Sequence, residues 1–145
     1  MPLTSGIVVS KIYDAVDATG RVDDQRLTQW IDALRQRPGH EVFEALIGVF
    51  CNTDRGDRRF VDQEYAGRML LALEPPCTQD IQDVIRRALP TWDRSVEQLP
   101  WYFSDVVGSA VVLRALDVLD PQMCSQQERD ALRSFRFWLR AKRDK

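Results

Sequence analysis

Apolar residues recur at helical spacing along most of this chain, and prolines stop each run before the next begins. Leu27, Trp30, Ile31 and Leu34 fall at i, i+3, i+4 and i+7, one face of a helix. Asp23 or Asp24 offers a capping carboxylate ahead of that run, and Pro38-Gly39 ends it. The segment Glu41–Asn52 carries Val42, Phe43, Leu46, Ile47, Val49 and Phe50. That arc is too wide for a surface helix, so the segment is expected to be central and covered on two sides. Val61–Glu74 presents Tyr65, Ala66, Met69, Leu70 and Leu73, and Pro75-Pro76 stops it. Thr78 is expected to cap a helix through Ile81, Val84, Ile85 and Leu89, with Pro90 ending it because the residue before proline avoids helical backbone. Gly6–Ala18 reads as a weaker helix.

The stretch from Trp92 to Gly108 contains a conflict. Ser95-Val-Glu-Gln98 fits a capping box, yet Pro100 would then lie inside the helix and remove a backbone donor. A short turn from Ser95 and a helix beginning at Pro100 resolve it, and Gly108 suits the left-handed residue that closes such a helix. Ser109 opens a helix to Leu119, Pro121 interrupts, and Ser125-Gln-Gln-Glu128 is a capping box for a last helix, Gln126–Lys142. No two-residue hairpin turn and no sustained period-two alternation occurs. With 145 residues, 44% of them apolar and 29% charged, the expectation is one all-α domain over residues 1–145, with seven or eight helices.

Two segments repeat. Arg68-Met-Leu-Leu-Ala-Leu-Glu-Pro75 matches Arg114-Ala-Leu-Asp-Val-Leu-Asp-Pro121, and the match resumes with Thr78 against Ser125, Asp83 against Asp130 and Arg86 against Arg133. Each unit is helix, proline turn, cap, helix. A weaker copy runs through Ala33-Leu34 and Pro38. A helix pair at this period resembles the HEAT or armadillo-like class of α-solenoid, over Asp23 to Lys142. The resemblance implies antiparallel helix pairs stacked as a small right-handed superhelix, with an extended surface that holds other macromolecules. An irregular helical bundle is the alternative fold.

The 20 basic and 22 acidic side chains leave a net charge of −2, which favours neither nucleic acid nor a membrane through bulk charge. The distribution is uneven. Residues 129–145 hold seven basic and two acidic side chains, +5, so residues 1–128 carry −7. Arginine far outnumbers lysine, the bias a GC-rich bacterial genome produces without functional selection. Cys51, Cys77 and Cys124 are far apart and form no CxxC pair, as expected of thiols in a reducing cytoplasm. Cys51 reads as a small core hydrophobe. With no close-spaced ligand pair and one histidine, His40, neither a metal nor another cofactor is expected. No apolar run reaches the ~20 residues that span a bilayer, and no secretory signal is read at Met1–Ser10.

Three features are candidates for function. At 100° per residue, Arg129, Arg133, Arg136, Arg140 and Arg143 fall within an arc of about 80°, opposite Leu132, Phe135, Trp138 and Leu139. Phe137 lies beside the arginines, where a ring has no core duty. Such a row holds acidic protein surface or phosphate, or is a solvated face. Trp92, Trp101, Tyr102 and Phe103 crowd between two prolines, as a contact platform or as a core plug. Asp93, Glu97 and Asp105 surround them and offer an acid–base pair. His40 reads as a turn residue and Arg55-Gly56-Asp57 as a polar turn.

The expectation from these features is a non-enzymatic protein-binding module. A bacterial immunity or antitoxin-type inhibitor, or an adaptor, is its concrete version. Contacts are assigned to Arg129, Arg133, Arg136, Phe137, Arg140, Trp92, Trp101 and Tyr102. Nucleic-acid binding through the arginine row, and an enzyme using the three carboxylates, are the alternatives. A helical-repeat surface also self-associates as readily as it binds another protein.

Overall fold

Capping side chains and prolines divide the chain into eight α-helices in a computed structural model that describes residues 3–141. They are α1 (Ser5–Thr19), α2 (Asp24–Leu34), α3 (Gly39–Cys51), α4 (Arg59–Leu73), α5 (Ile81–Ala88), α6 (Gln98–Val106), α7 (Ser109–Leu119) and α8 (Gln126–Arg140). Short 3-10 turns, Gly56–Arg58 and Asp120–Gln122, precede α4 and follow α7. No strand occurs among the described residues.

Local chemistry sets most helix starts. The Asp23 carboxylate accepts the N–H groups of Gln25 and Arg26 at 3.0 and 3.1 Å and starts α2. The Ser125 hydroxyl accepts Glu128 N–H at 3.1 Å and starts α8. Gly108 has φ +103°, a backbone open to glycine, and joins α6 to α7. Two starts differ from expectation. Asp80, not Thr78, caps α5, accepting Gln82 N–H at 2.9 Å. The chain leaves α4 through Glu74 at φ 46° and runs without regular structure through Pro75-Pro76 to Gln79, so α5 begins late and is short. The second is α6, which starts at Gln98 instead of Pro100. Pro100 sits in the first turn, where its missing donor has no partner to lose. Ser95 does not cap that helix; its N–H donates to Asp93 Oδ1 at 2.9 Å in an Asx turn. The expected end of the last helix at Lys142 lies outside the described residues.

The helices pack in two interleaved rows. Odd-numbered helices contact in order, α1 on α3, α3 on α5, α5 on α7. Even-numbered helices do the same, α2 on α4, α4 on α6, α6 on α8. The rows are joined by α1–α4, α3–α4, α6–α7 and α7–α8 contacts around one core. α3 lies inside this arrangement, and all six of its expected apolar residues are buried. The close approach of α4 and α6 requires Gly67, where a Cβ would lie 2.7 Å from Gln98 Cβ.

The two copies of the internal repeat are not packed alike. α7 and α8 pack as a pair, whereas α4 and α5 are not among the packed pairs. α4 belongs to the even row and its counterpart α7 to the odd row. The expected antiparallel pair over residues 68–86 is therefore not formed, because the irregular Glu74–Asp80 segment carries α5 away from α4 and onto α3 and α7.

Polar groups fasten the ends. Arg55 enters the fold from the loop ahead of α4, with its side chain only 12% exposed. Its Nε donates to Asp62 Oδ2 at 2.7 Å and its Nη2 to Asp62 Oδ1 at 3.1 Å and Asp17 Oδ1 at 2.9 Å. Its guanidinium also lies 4.5 Å over the Tyr13 ring. The Arg-Gly-Asp tripeptide is thus a turn at Gly56, φ 53°, whose arginine is committed inward. At the other face of the N-terminal helices, Glu41 accepts from Arg37 Nε and Nη2 at 2.9 and 2.8 Å and from Ser5 Oγ at 2.7 Å. These bonds, led by Arg37, lower its carboxyl pKa from the usual 4.5 to about 2. A depressed acid stabilises the fold above its unfolded pKa and loses that effect as pH falls through the folded value. Glu41→Gln is expected to be less stable than wild type at about pH 6, with the gap narrowing steadily below about pH 4.5. Urea unfolding of both proteins across that range measures it, and a gap independent of pH would contradict the assignment.

Candidate functional site on the last helix

α8 is held from within by Ala131, Leu132, Phe135 and Leu139, all buried. Trp138 was expected on the same face. It lies at its margin, half-buried, and its indole N–H donates to Arg94 O at 2.8 Å. The outer face carries the arginine row. Arg129, Arg133 and Arg140 are exposed. Arg136 is not part of that free row. Its Nη1 donates to Asp120 Oδ2 at 2.9 Å and its Nη2 to Asp117 Oδ1 at 2.8 Å, so it clamps α8 to α7 and the following turn. Partial burial disfavours its charge, but the two carboxylates outweigh that and raise its pKa. Phe137 stands beside the row at 60% exposure, the most exposed large apolar side chain among the described residues. Its ring rests edge-on against Trp138, centroids 5.1 Å apart. Asp120, the four arginines and Phe137 line a shallow groove of about 410 Å³. Arg143 lies outside the described residues.

The aromatic segment divides. Trp92 is buried, edge-on to Phe135 at 5.3 Å, and its indole N–H donates to Val96 O at 3.0 Å. Tyr102 is fully buried; its hydroxyl donates to Pro75 O at 2.5 Å, and burial raises its pKa. Both are buried and offer no surface for contact, which corrects their assignment as contacts. Trp92 fills the space between its linker and Phe135 of α8, and the Tyr102 ring of α6 lies 6.2 Å from that of Phe43 on α3. Trp101 is half-buried against Trp138, donating to its carbonyl at 3.2 Å. The platform therefore reduces to Phe137 with the margin of Trp138 and Trp101.

A larger open groove, about 1040 Å³, runs between α8 and the linker 89–95. Arg59, Asp93, Arg94, Ser134 and Trp138 contribute to it. Of the three carboxylates that the enzyme alternative would draw on, only Asp93 lines it; Glu97 and Asp105 do not. The acid that joins this neighbourhood is Glu64 of α4, which sequence spacing did not single out. Burial raises its pKa, Arg68 opposes this, and Glu97 and Asp93 add to the rise. The linker wall is held by Gln63, fully buried on α4. Its Nε2 donates to Thr91 O at 2.7 Å and its Oε1 accepts Asp93 N–H at 2.7 Å. The Thr91 hydroxyl donates to Phe50 O and ties the same linker to α3.

His40 is exposed in the first turn of α3. The three cysteines are free thiols; Cys51 and Cys77 pack against the core and burial raises both. Among the described residues no three His, Cys, Asp or Glu side chains group to hold a metal, and no helix is long and apolar enough to cross a membrane. No family model, curated protein or solved structure matches the chain.

Proposed function

We propose that this protein is a non-enzymatic helical module that binds another protein through the outer face of α8. The observation that carries the reading is Phe137, which leaves most of its ring in water among Arg129, Arg133 and Arg140. Aromatic side chains, phenylalanine among them, and arginine are enriched at protein interfaces relative to the rest of the surface. The packing leaves α8 with an inner face in the core and an outer face on the surface. Arginine–carboxylate pairs spread over the body, such as Asp17–Arg58, Asp24–Arg68 and Asp83–Arg86, leave its acidic charge interleaved with basic charge. That favours the adaptor version over an inhibitor that presents one acidic face to a basic toxin.

The test is affinity capture of the tagged protein from its native host, with and without nuclease. One stoichiometric protein is expected to survive nuclease and to be lost from the variant carrying Phe137→Ser and Arg133→Glu. Loss of all retained material on nuclease treatment would transfer the row to nucleic acid. Retention of nothing at modest salt would end the reading.

A further inference from the structure

Resting on that reading, we infer that the partner meets α8 with an acidic segment that carries an apolar side chain, the acids on the arginine row and the apolar group against Phe137. Three guanidinium groups are available. Arg140 has no partner among the described residues. Among the same residues the Arg129 guanidinium pairs only with the Gln126 amide oxygen at 3.3 Å, and the exposed Arg133 only with Asp130 at 3.6 Å. Exposed pairs of that kind contribute little and exchange readily. At 1.5 Å per residue the row from Arg129 to Arg140 spans roughly 16 Å, three turns of helix. Arginine pairs bidentately with carboxylates, so a segment with acids at that spacing satisfies all three.

The row is also fixed in place. Arg136 binds Asp117 and Asp120, and Trp138 binds the Arg94 carbonyl, so α8 is anchored on both flanks before a partner arrives. A preorganised face loses less freedom on binding. The same clamp discriminates between partners. Asp120 lines the groove and Asp117 lies next to it, so a phosphate chain laid along the row runs beside two carboxylates. One exposed ring is no stacking platform for successive bases. A second copy meeting face to face would set arginine against arginine. A peptide places its acids individually, at Arg129, Arg133 and Arg140 and away from those carboxylates, and supplies an apolar group for Phe137.

The inference is tested by replacing Phe137 with p-benzoylphenylalanine in the full chain, irradiating in host lysate, and sequencing the cross-linked segment. The expected segment is net acidic and includes an aliphatic or aromatic residue. Arg133→Glu with Arg140→Glu is expected to lower the cross-link yield by about ten-fold or more, while lysine at both positions keeps part of it. Circular dichroism confirms that the variants are folded. A basic or neutral segment, a nucleic acid, or a second copy of this chain at position 137 overturns the inference. A captured protein that persists without cross-linking at 137 also overturns it and moves the contact off the α8 face, leaving only the coarser reading that the chain binds a protein. Capture of no protein at all removes both.

Discussion

Arg55→Met is expected to lower the stability of the fold by about 3–5 kcal/mol, the usual cost of removing one partner of a buried ion pair. Asp62 is 1% exposed, and both of its oxygens are served by Arg55. The methionine keeps the apolar stem and removes the charge, so the deficit belongs to the stranded carboxylate. Burial already pushes the Asp62 pKa up, with Arg55 opposing it. Without Arg55 the carboxyl takes up a proton in the folded state. A raised acid destabilises the fold as pH rises above its unfolded pKa, so the variant loses further stability above about pH 4. Asp62→Leu in the same chain should restore much of the loss, because a buried pair replaced as a unit by apolar groups is often neutral. Urea unfolding of the two variants at about pH 5 and about pH 8 reads both effects. A loss under about 1 kcal/mol for Arg55→Met would show that Asp62 is served by water, contrary to its burial.

Gln63→Leu should cost about 2–4 kcal/mol, since two backbone groups lose their partner together. The Thr91 carbonyl and the Asp93 N–H both bond the one amide, and leucine fills the space without serving either. Gln63→Glu is a useful companion. It keeps an acceptor for Asp93 N–H, sets an oxygen against the Thr91 carbonyl, and is expected to fall as far as leucine or further. Thermal unfolding by circular dichroism ranks the three proteins. Equal stability of wild type and Gln63→Leu would mean that the 91–93 linker is held by its other ties, the Thr91 hydroxyl on Phe50 O and the Trp92 indole on Val96 O.

These two residues mark the limit of what the chain discloses before it folds. The caps at Asp23 and Ser125 are legible because donor and acceptor lie two or three residues apart. Gly108 is legible because a positive φ favours glycine. Phe137 is legible because helical geometry sets it off the buried arc, and it is exposed in the structure. Arg55 reads as one cation in a polar loop, since its partner Asp17 is 38 positions away. Gln63 carries no signal in the sequence, since the backbone it serves is 28 and 30 positions away. Trp92 is ambiguous for the same reason, and the approach of Phe135 decides it. Thr78 misleads because capping competence is local, while the path from Pro75 to Asp80 follows where α5 packs.

The two interleaved rows have a consequence for how the chain is made. Side-chain hydrogen bonds reach no further than 44 positions among the described residues, as in Arg68 to Asp24 and Trp138 to Arg94. Each helix finds its row neighbour two helices later, so packing is completed progressively along the eight helices. A chain emerging from a ribosome at about 5–20 residues per second can bury α1 to α4 while α7 and α8 are still untranslated. The helix that carries the exposed Phe137 arrives after the other seven, onto a surface they have already assembled.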